Sequence, residues 1–181
     1  MRIVVAPGQG SQTEGFLASW LAEVEGFSAI LESYSDFVGL DLIELGTKAS
    51  EETIKDTAVA QPLIVASSLA AYRTLFSDTS VDGVAGHSVG EFAAAAIAGV
   101  VSDEDALRLV SIRAQAMARA AAKVDTSMAA ILGGELDEIQ TKLDQLTLHP
   151  ANFNGSGQLV VAGLSSQIAE LIADPPAKAR V

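Results

Sequence analysis

Gly86-His87-Ser88-Val89-Gly90 matches G-x-S-x-G, the spacing that presents a serine on a sharp strand-to-helix turn. Small neighbours let the backbone bend tightly there, and the following helix offers its positive end and free N–H groups to a developing oxyanion. The bare pattern also fits an ordinary turn with a capping serine. Context favours a nucleophile, because a short strand over Val81 to Ala85 precedes Gly86 and an alanine-rich helix follows Gly90.

A second glycine-rich loop, Gly8-Gln9-Gly10-Ser11-Gln12, follows the first apolar run. It fails both nucleotide-binding fingerprints: Thr13 stands where the third glycine belongs, and no Gly-Lys-Ser/Thr occurs. A loop whose backbone N–H supplies a second oxyanion donor fits better, with a plain glycine turn as the alternative. Arg113 is the most informative charge. On a helix starting at Ser102, the residues Ala106, Leu109, Val110, Ala116, Met117 and Ala120 fall within about 60° of it. A guanidinium on an apolar stripe requires an anion. Glu91 and a substrate carboxylate are equally good candidates, the latter held by a fork that lysine lacks. Of the two histidines, His87 is turned aside by the tight turn next to Ser88, and His149 before Pro150 reads as a solvated loop residue. Neither suits the role of general base.

The elements that must position these residues follow from hydropathy patterning. Residues 2–6 read as a buried strand ending at Pro7-Gly8, and 14–37 as helical with breaks at Gly26 and Gly39. Residues 58–76 predict a long helix with Pro62 in its first turn. A strand over 81–85 leads into the serine turn, then a helix runs to about Ala98, and another runs from the Ser102 cap to about Ala122. After Lys123 the texture changes to strand (127–132), helix (135–146), strands (151–154 and 157–163) and helix (165–173). That order becomes a split βαβ, ferredoxin-like unit if Ala179-Arg180-Val181 begins one more strand. The fold class is α/β.

Composition bounds the partners. The 181 residues are 49% hydrophobic and 19% charged, and mean hydropathy is +0.34, which excludes a disordered chain. A net charge of −12 argues against nucleic-acid binding, and zero cysteines exclude disulfides, thiolate metal sites and a cysteine nucleophile. The longest apolar stretch, from Phe92 to Val101, is far short of a membrane span, and no targeting signal is visible. A cytoplasmic location is expected. Arg108, Arg119 and Lys123 form a local basic face in this acidic chain, suited to an acidic partner or simply to solvent.

Taken in order, APGQGSQ at 6–12, AQP at 60–62, GHSVGE at 86–91, Arg113 with Met117, and NFNGSGQLVVAG at 152–163 resemble the malonyl-CoA:acyl-carrier-protein transacylases. These acyltransferases load malonyl units for fatty-acid synthesis and have relatives in polyketide synthases. The resemblance implies an α/β-hydrolase-like parallel-sheet subdomain (residues 1–124) with an inserted ferredoxin-like small subdomain (125–181), both incomplete. It implies Ser88 as nucleophile, the N–H groups of Gln9 and Val89 as oxyanion hole, and Arg113 on the malonyl carboxylate beside Gln61. Malonyl-CoA and acyl carrier protein would be the partners, with no metal or other cofactor. Ala114 departs from the family's glycine after the arginine. The family's base histidine has no match, and the resemblance covers about the first three-fifths of a member. The chain is therefore expected to be partial and incapable of turnover alone. A serine esterase or thioesterase on the same elbow, and a non-catalytic fragment, are the competing expectations.

Overall fold

The computed structural model describes residues 1–10, 12–76 and 78–181, so Ser11 of the glycine loop lies outside the described residues. The chain divides into two units, Met1–Arg119 and Ala120–Val181.

In the first unit, Ile3–Ala6 (β1) and Gly83–Gly86 (β2) pair in parallel, with Ile3 opposite Gly83 and Ala6 opposite Gly86. This register brings the carboxyl ends of both strands side by side. The glycine loop and the serine turn therefore leave the sheet at the same edge, where open α/β sheets place their ligands. The second strand begins later than the hydropathy suggests: Val81 lies outside it.

Helices supply most of the core. The expected helical region over 14–37 resolves into Ala18–Glu23 (α1) and Phe27–Val38 (α2), separated at Gly26, whose φ is +83°. Two short helices not foreseen from the pattern follow, Leu42–Thr47 (α3) and Glu51–Lys55 (α4). Asp41 and Ser50 cap them, accepting hydrogen bonds from the backbone N–H groups of Glu44 (2.9 Å) and Thr53 (3.3 Å). Thr57–Phe76 (α5) is buried nearly all round, with Ala60, Leu63, Val65, Ala66, Leu69 and Ala70 sealed from solvent. Pro62 is its sixth residue, one residue deeper than expected and in the second turn, not the first. The helix starts early because the Asp56 carboxylate accepts from the Ala58 N–H at 2.8 Å. Gly90–Ile97 (α6) and Asp103–Ala121 (α7) complete the unit. The Ser102 cap is as expected, its hydroxyl accepting from the Asp105 N–H at 3.0 Å.

The second unit holds Thr126–Gly133 (β3), Leu136–Leu146 (α8), His149–Gly155 (β4), Gln158–Leu164 (β5), Ser165–Ala173 (α9) and Ala179–Arg180 (β6). The four strands form one sheet in the order β4-β5-β3-β6, with all neighbours antiparallel. Ile131, Leu159 and Val161 of the sheet pack with Ile139 and Leu143 of α8 and with Ile168 and Leu171 of α9. The two-residue β6 is the extra strand that the sequence pattern required. His149 and Pro150 are not a loop: they open β4, opposite Ala162 and Val161. An edge strand tolerates proline because its outward side donates no ladder hydrogen bond. The architecture is thus α/β with one parallel and one antiparallel sheet.

Candidate active site

Ser88 occupies a turn that only special backbone chemistry allows. Its φ is +53°, in the left-handed region, at a cost of about 1–3 kcal/mol for a residue with a side chain. The flanking glycines are dictated by space. A Cβ on Gly86 would lie 2.3 Å from the Gly90 carbonyl carbon, and one on Gly90 would lie 2.4 Å from the Ala6 oxygen. Side-chain-free residues at both positions let the first turn of α6 fold back over the ends of β1 and β2. Hydrogen bonds close the turn: His87 N–H to the Ala6 carbonyl (3.1 Å), Gly90 N–H to His87 (2.9 Å) and Glu91 N–H to Ser88 (3.1 Å). Ser88 itself is exposed, whereas the Val89 side chain is buried and anchors the turn. Among the described residues the N–H groups of Val89 and Gln9 donate to no internal acceptor, as oxyanion donors require.

The glycine loop packs directly on this turn. A Cβ on Gly8 would stand 2.5 Å from Nδ1 of His87, so the His87 ring lies against Gly8. The Gln9 amide reaches the corner between α4 and α5, donating to the Lys55 carbonyl (3.5 Å) and the Thr57 hydroxyl (3.4 Å).

One turn along α5 from Thr57, about 6 Å, is Gln61. It is 1% exposed and one of two buried polar side chains among the described residues. Its carboxamide oxygen accepts from Nη1 of Arg113, and its Nε2 faces the Met117 sulfur at 3.3 Å. α5 thereby connects the glycine loop to Arg113. The apolar-stripe premise for that arginine needs correction. The buried side of α7 is Ala106, Leu107, Val110 and Ala114, whereas Leu109, Ala116, Met117 and Ala120 are exposed. Arg113 sits half-buried at the margin of the stripe because the helix is turned toward Leu107 and Ala114. Glu91 is not its partner: among the described residues Arg113 makes no ion pair. The small Ala114 is fully buried.

The basic face is also smaller than expected, since Glu104, just N-terminal to it, pairs with Arg108 at 2.7 Å. Gln12, the other buried polar side chain, had no signal of its own in the sequence beyond its place in the glycine-rich motif. Tyr34, Arg73 and Asp103 form a partly buried cluster that also went unforeseen, because its members come from three separated helices. Among the described residues no helix is long and apolar enough to cross a membrane.

A model of the family described as "Acyl transferase domain" matches residues 3–181. The malonyl CoA-acyl carrier protein transacylase of Mycobacterium tuberculosis is 50% identical over 185 residues, covering 100% of this chain and 61% of the relative. That of Escherichia coli is 35% identical over 165 residues, covering 88% and 53%. Among solved structures, MCAT from Mycobacterium tuberculosis superposes with a TM-score of 0.92 at 49% identity, over 99% of this chain and 61% of that one. A type II PKS acyl-carrier protein in complex with its malonyl-transacylase gives 0.87 at 30% identity, over 98% and 61%. This chain spans 61% of the length of the first of these relatives. With the strained serine turn, the adjoining glycine loop and a family match over almost its whole length, the chain belongs to the acyl transferase domain family.

Proposed function

We propose that this chain carries the acyl-accepting part of a site that moves malonyl from malonyl-CoA to the phosphopantetheine thiol of acyl carrier protein, in the cytoplasm. Ser88 is the nucleophile. Its Oγ bonds to the malonyl carbonyl carbon while the C–S bond to coenzyme A breaks, and the hydroxyl proton ends on the departing thiol. The carrier thiol then attacks the ester: a C–S bond forms, the acyl C–Oγ bond breaks, and the thiol's proton passes to Oγ. The N–H groups of Gln9 and Val89 stabilise the oxyanion in both steps. The proton carrier is assigned neither to His87, whose ring lies against Gly8, nor to His149 in β4. No metal or other cofactor enters this scheme.

The observation that carries the reading is Arg113, half-buried, with an amide oxygen and, among the described residues, no carboxylate for a partner. An esterase on the same turn gives that guanidinium no task. A malonyl carboxylate does, and a site built around it should reject acetyl by about 10⁴. The names of the relatives, malonyl transacylases and one complex with a carrier protein, support the same substrate and partner. Residues 1–124 are read as part of an α/β-hydrolase-like subdomain. Residues 125–181 are read as a ferredoxin-like one, supported by the βαββαβ connection and strand order.

Intact-protein mass spectrometry after incubation with malonyl-CoA or acetyl-CoA tests the proposal. Malonyl labelling that disappears in Ser88→Ala and exceeds acetyl labelling supports it. Equal labelling by both favours an esterase-like site, and no labelling favours a non-catalytic role.

A further inference from the structure

The Gln12 side chain is 7% exposed and makes two hydrogen bonds of 2.9 Å. Its Oε1 accepts the Gly10 N–H, and its Nε2 donates to the carbonyl of Ile54. Ile54 is fully buried in the last turn of α4, where helix carbonyls lack an intrahelical donor. A single carboxamide therefore joins the exposed glycine loop to a buried helix end, pairing the Ile54 carbonyl, which would be costly to leave unsatisfied.

The bond to Gly10 has a consequence for its neighbour. Gly8, on one side of Gln9, is wedged against His87 with no room for a Cβ. Gly10, on the other side, has its N–H claimed by Gln12 and a φ of +116° that an L side chain rarely adopts. The Gln9 peptide is thus clamped at both ends. The clamp leaves the Gln9 N–H, not that of Gly10, available to an oxyanion. The Gln9 side chain adds only marginal contacts of 3.4–3.5 Å to Thr57 and Lys55, so it cannot replace the clamp.

We infer that Gln12 is a positioning residue for acyl transfer: its carboxamide, strapped to the end of α4, holds the glycine loop so that the Gln9 N–H faces the Ser88 carbonyl adduct. This rests on the malonyl-transfer reading above. It assigns Gln12 no contact with substrate. Oxyanion donors lower the barrier only when fixed in place before reaction, and small misplacements are expensive in rate.

The test uses the whole chain as wild type, Gln12→Met and Gln12→Ala, with Ser88→Ala as the unlabelled control. Methionine keeps the volume and burial of glutamine and removes both hydrogen bonds; alanine serves if the methionine variant does not fold. The rate of Ser88 labelling is followed across malonyl-CoA concentrations, and amide hydrogen exchange is followed at Gln9 and Gly10 by NMR. The limiting rate should fall by about tenfold to a hundredfold, while the half-saturating concentration stays within about twofold. Exchange at Gly10 should accelerate by at least about tenfold relative to the α5 core. A merely structural glutamine would lower the melting temperature and leave the limiting rate of the folded variant intact, which would overturn the inference. Unchanged Gly10 exchange would overturn it as well. If wild type is not labelled at Ser88, the malonyl-transfer reading fails on its own, and the exchange measurement still decides whether Gln12 holds the loop.

Discussion

Helices α5 and α7 each contribute to two polar contacts, at opposite ends, and both contacts centre on an arginine. At one end Arg73 of α5 grips Asp103 at the start of α7 with two hydrogen bonds, Nε to Oδ2 at 3.0 Å and Nη2 to Oδ1 at 2.8 Å. Nη2 also donates to the Ala96 carbonyl, and the Tyr34 hydroxyl donates to the same carboxylate. At the other end Arg113 of α7 meets, among the described residues, the neutral carboxamide of Gln61 on α5 and no carboxylate. One guanidinium has a matched charge and three acceptor oxygens. The other is half-buried with a single neutral acceptor. Structural arginines are retained because they are satisfied, whereas an arginine left short of an anion is poised to take one from outside. The contrast sets a fastening against the proposed binding group within one pair of helices.

The largest effect should come from breaking the satisfied end. Asp103→Ala strands the Arg73 charge and the Tyr34 hydroxyl, and chemical denaturation should show a loss of about 2 kcal/mol, moderated by the partial exposure of the pair. Arg113→Ala should cost about 1 kcal/mol in the same assay, because it breaks no charge pair and leaves only the buried Gln61 oxygen without its donor. A loss at Arg113 equal to that at Asp103 would erase the distinction.

The two ends should also differ in their response to pH. Burial pushes the Asp103 carboxyl up, but the hydrogen bonds from Arg73 and Tyr34 and the nearby positive charge outweigh it and hold the group below the ordinary carboxylate range. The native state therefore keeps Asp103 ionised where the unfolded chain, titrating near about 3.9, begins to protonate. Its contribution is complete above that value and is lost as pH falls through the lower native one. Acid titration of stability should show this loss in wild type and not in Asp103→Asn. At the alkaline end, burial first and then the Asp103 carboxylate raise the Tyr34 hydroxyl well above its usual value. Stability from that group should be complete below about pH 10 and decline above it, a limb that Tyr34→Phe removes.

For the unsatisfied end the sharper measurement is acyl choice. Arg113→Ala should lower the ratio of malonyl to acetyl labelling at Ser88 by about 10² or more, with little change in melting temperature. The smallest effect is expected on the exposed side of α7. Arg108→Ala breaks only the surface pair with Glu104 and should cost about 0.3–0.5 kcal/mol.

Legibility in the sequence followed the range of the forces involved. β1, the serine turn, α5, the Ser102 cap and the alternation of elements after Lys123 were readable because each is decided by neighbours within a turn or a strand length. α3 and α4 were missed because a helix of five or six residues carries too few periodic positions to stand out. His149 and Pro150 read as a loop because proline disfavours strands in general, while its tolerance at a sheet edge depends on which strand lies outermost. The error over α7 has the same origin. Periodicity located an apolar sector containing Arg113, but which part of that sector is buried depends on how the helix is rotated against α5 and α6.

By itself, the sequence determined the chemistry available: a serine between glycines spaced for a sharp turn, a glycine loop after a strand, and one arginine among apolar neighbours. Those features are local, since glycine spacing and helix periodicity act through covalent geometry and sterics over a few residues. The tertiary structure alone decided how they are held. It set Ala6 beside Gly86, placed Gly8 against the His87 ring and Gly10 on the Gln12 carboxamide, gave Arg73 its carboxylate, and gave Arg113, among the described residues, an amide and no carboxylate. Such pairings join residues up to 80 positions apart, and only the packing of the core brings them within hydrogen-bonding distance.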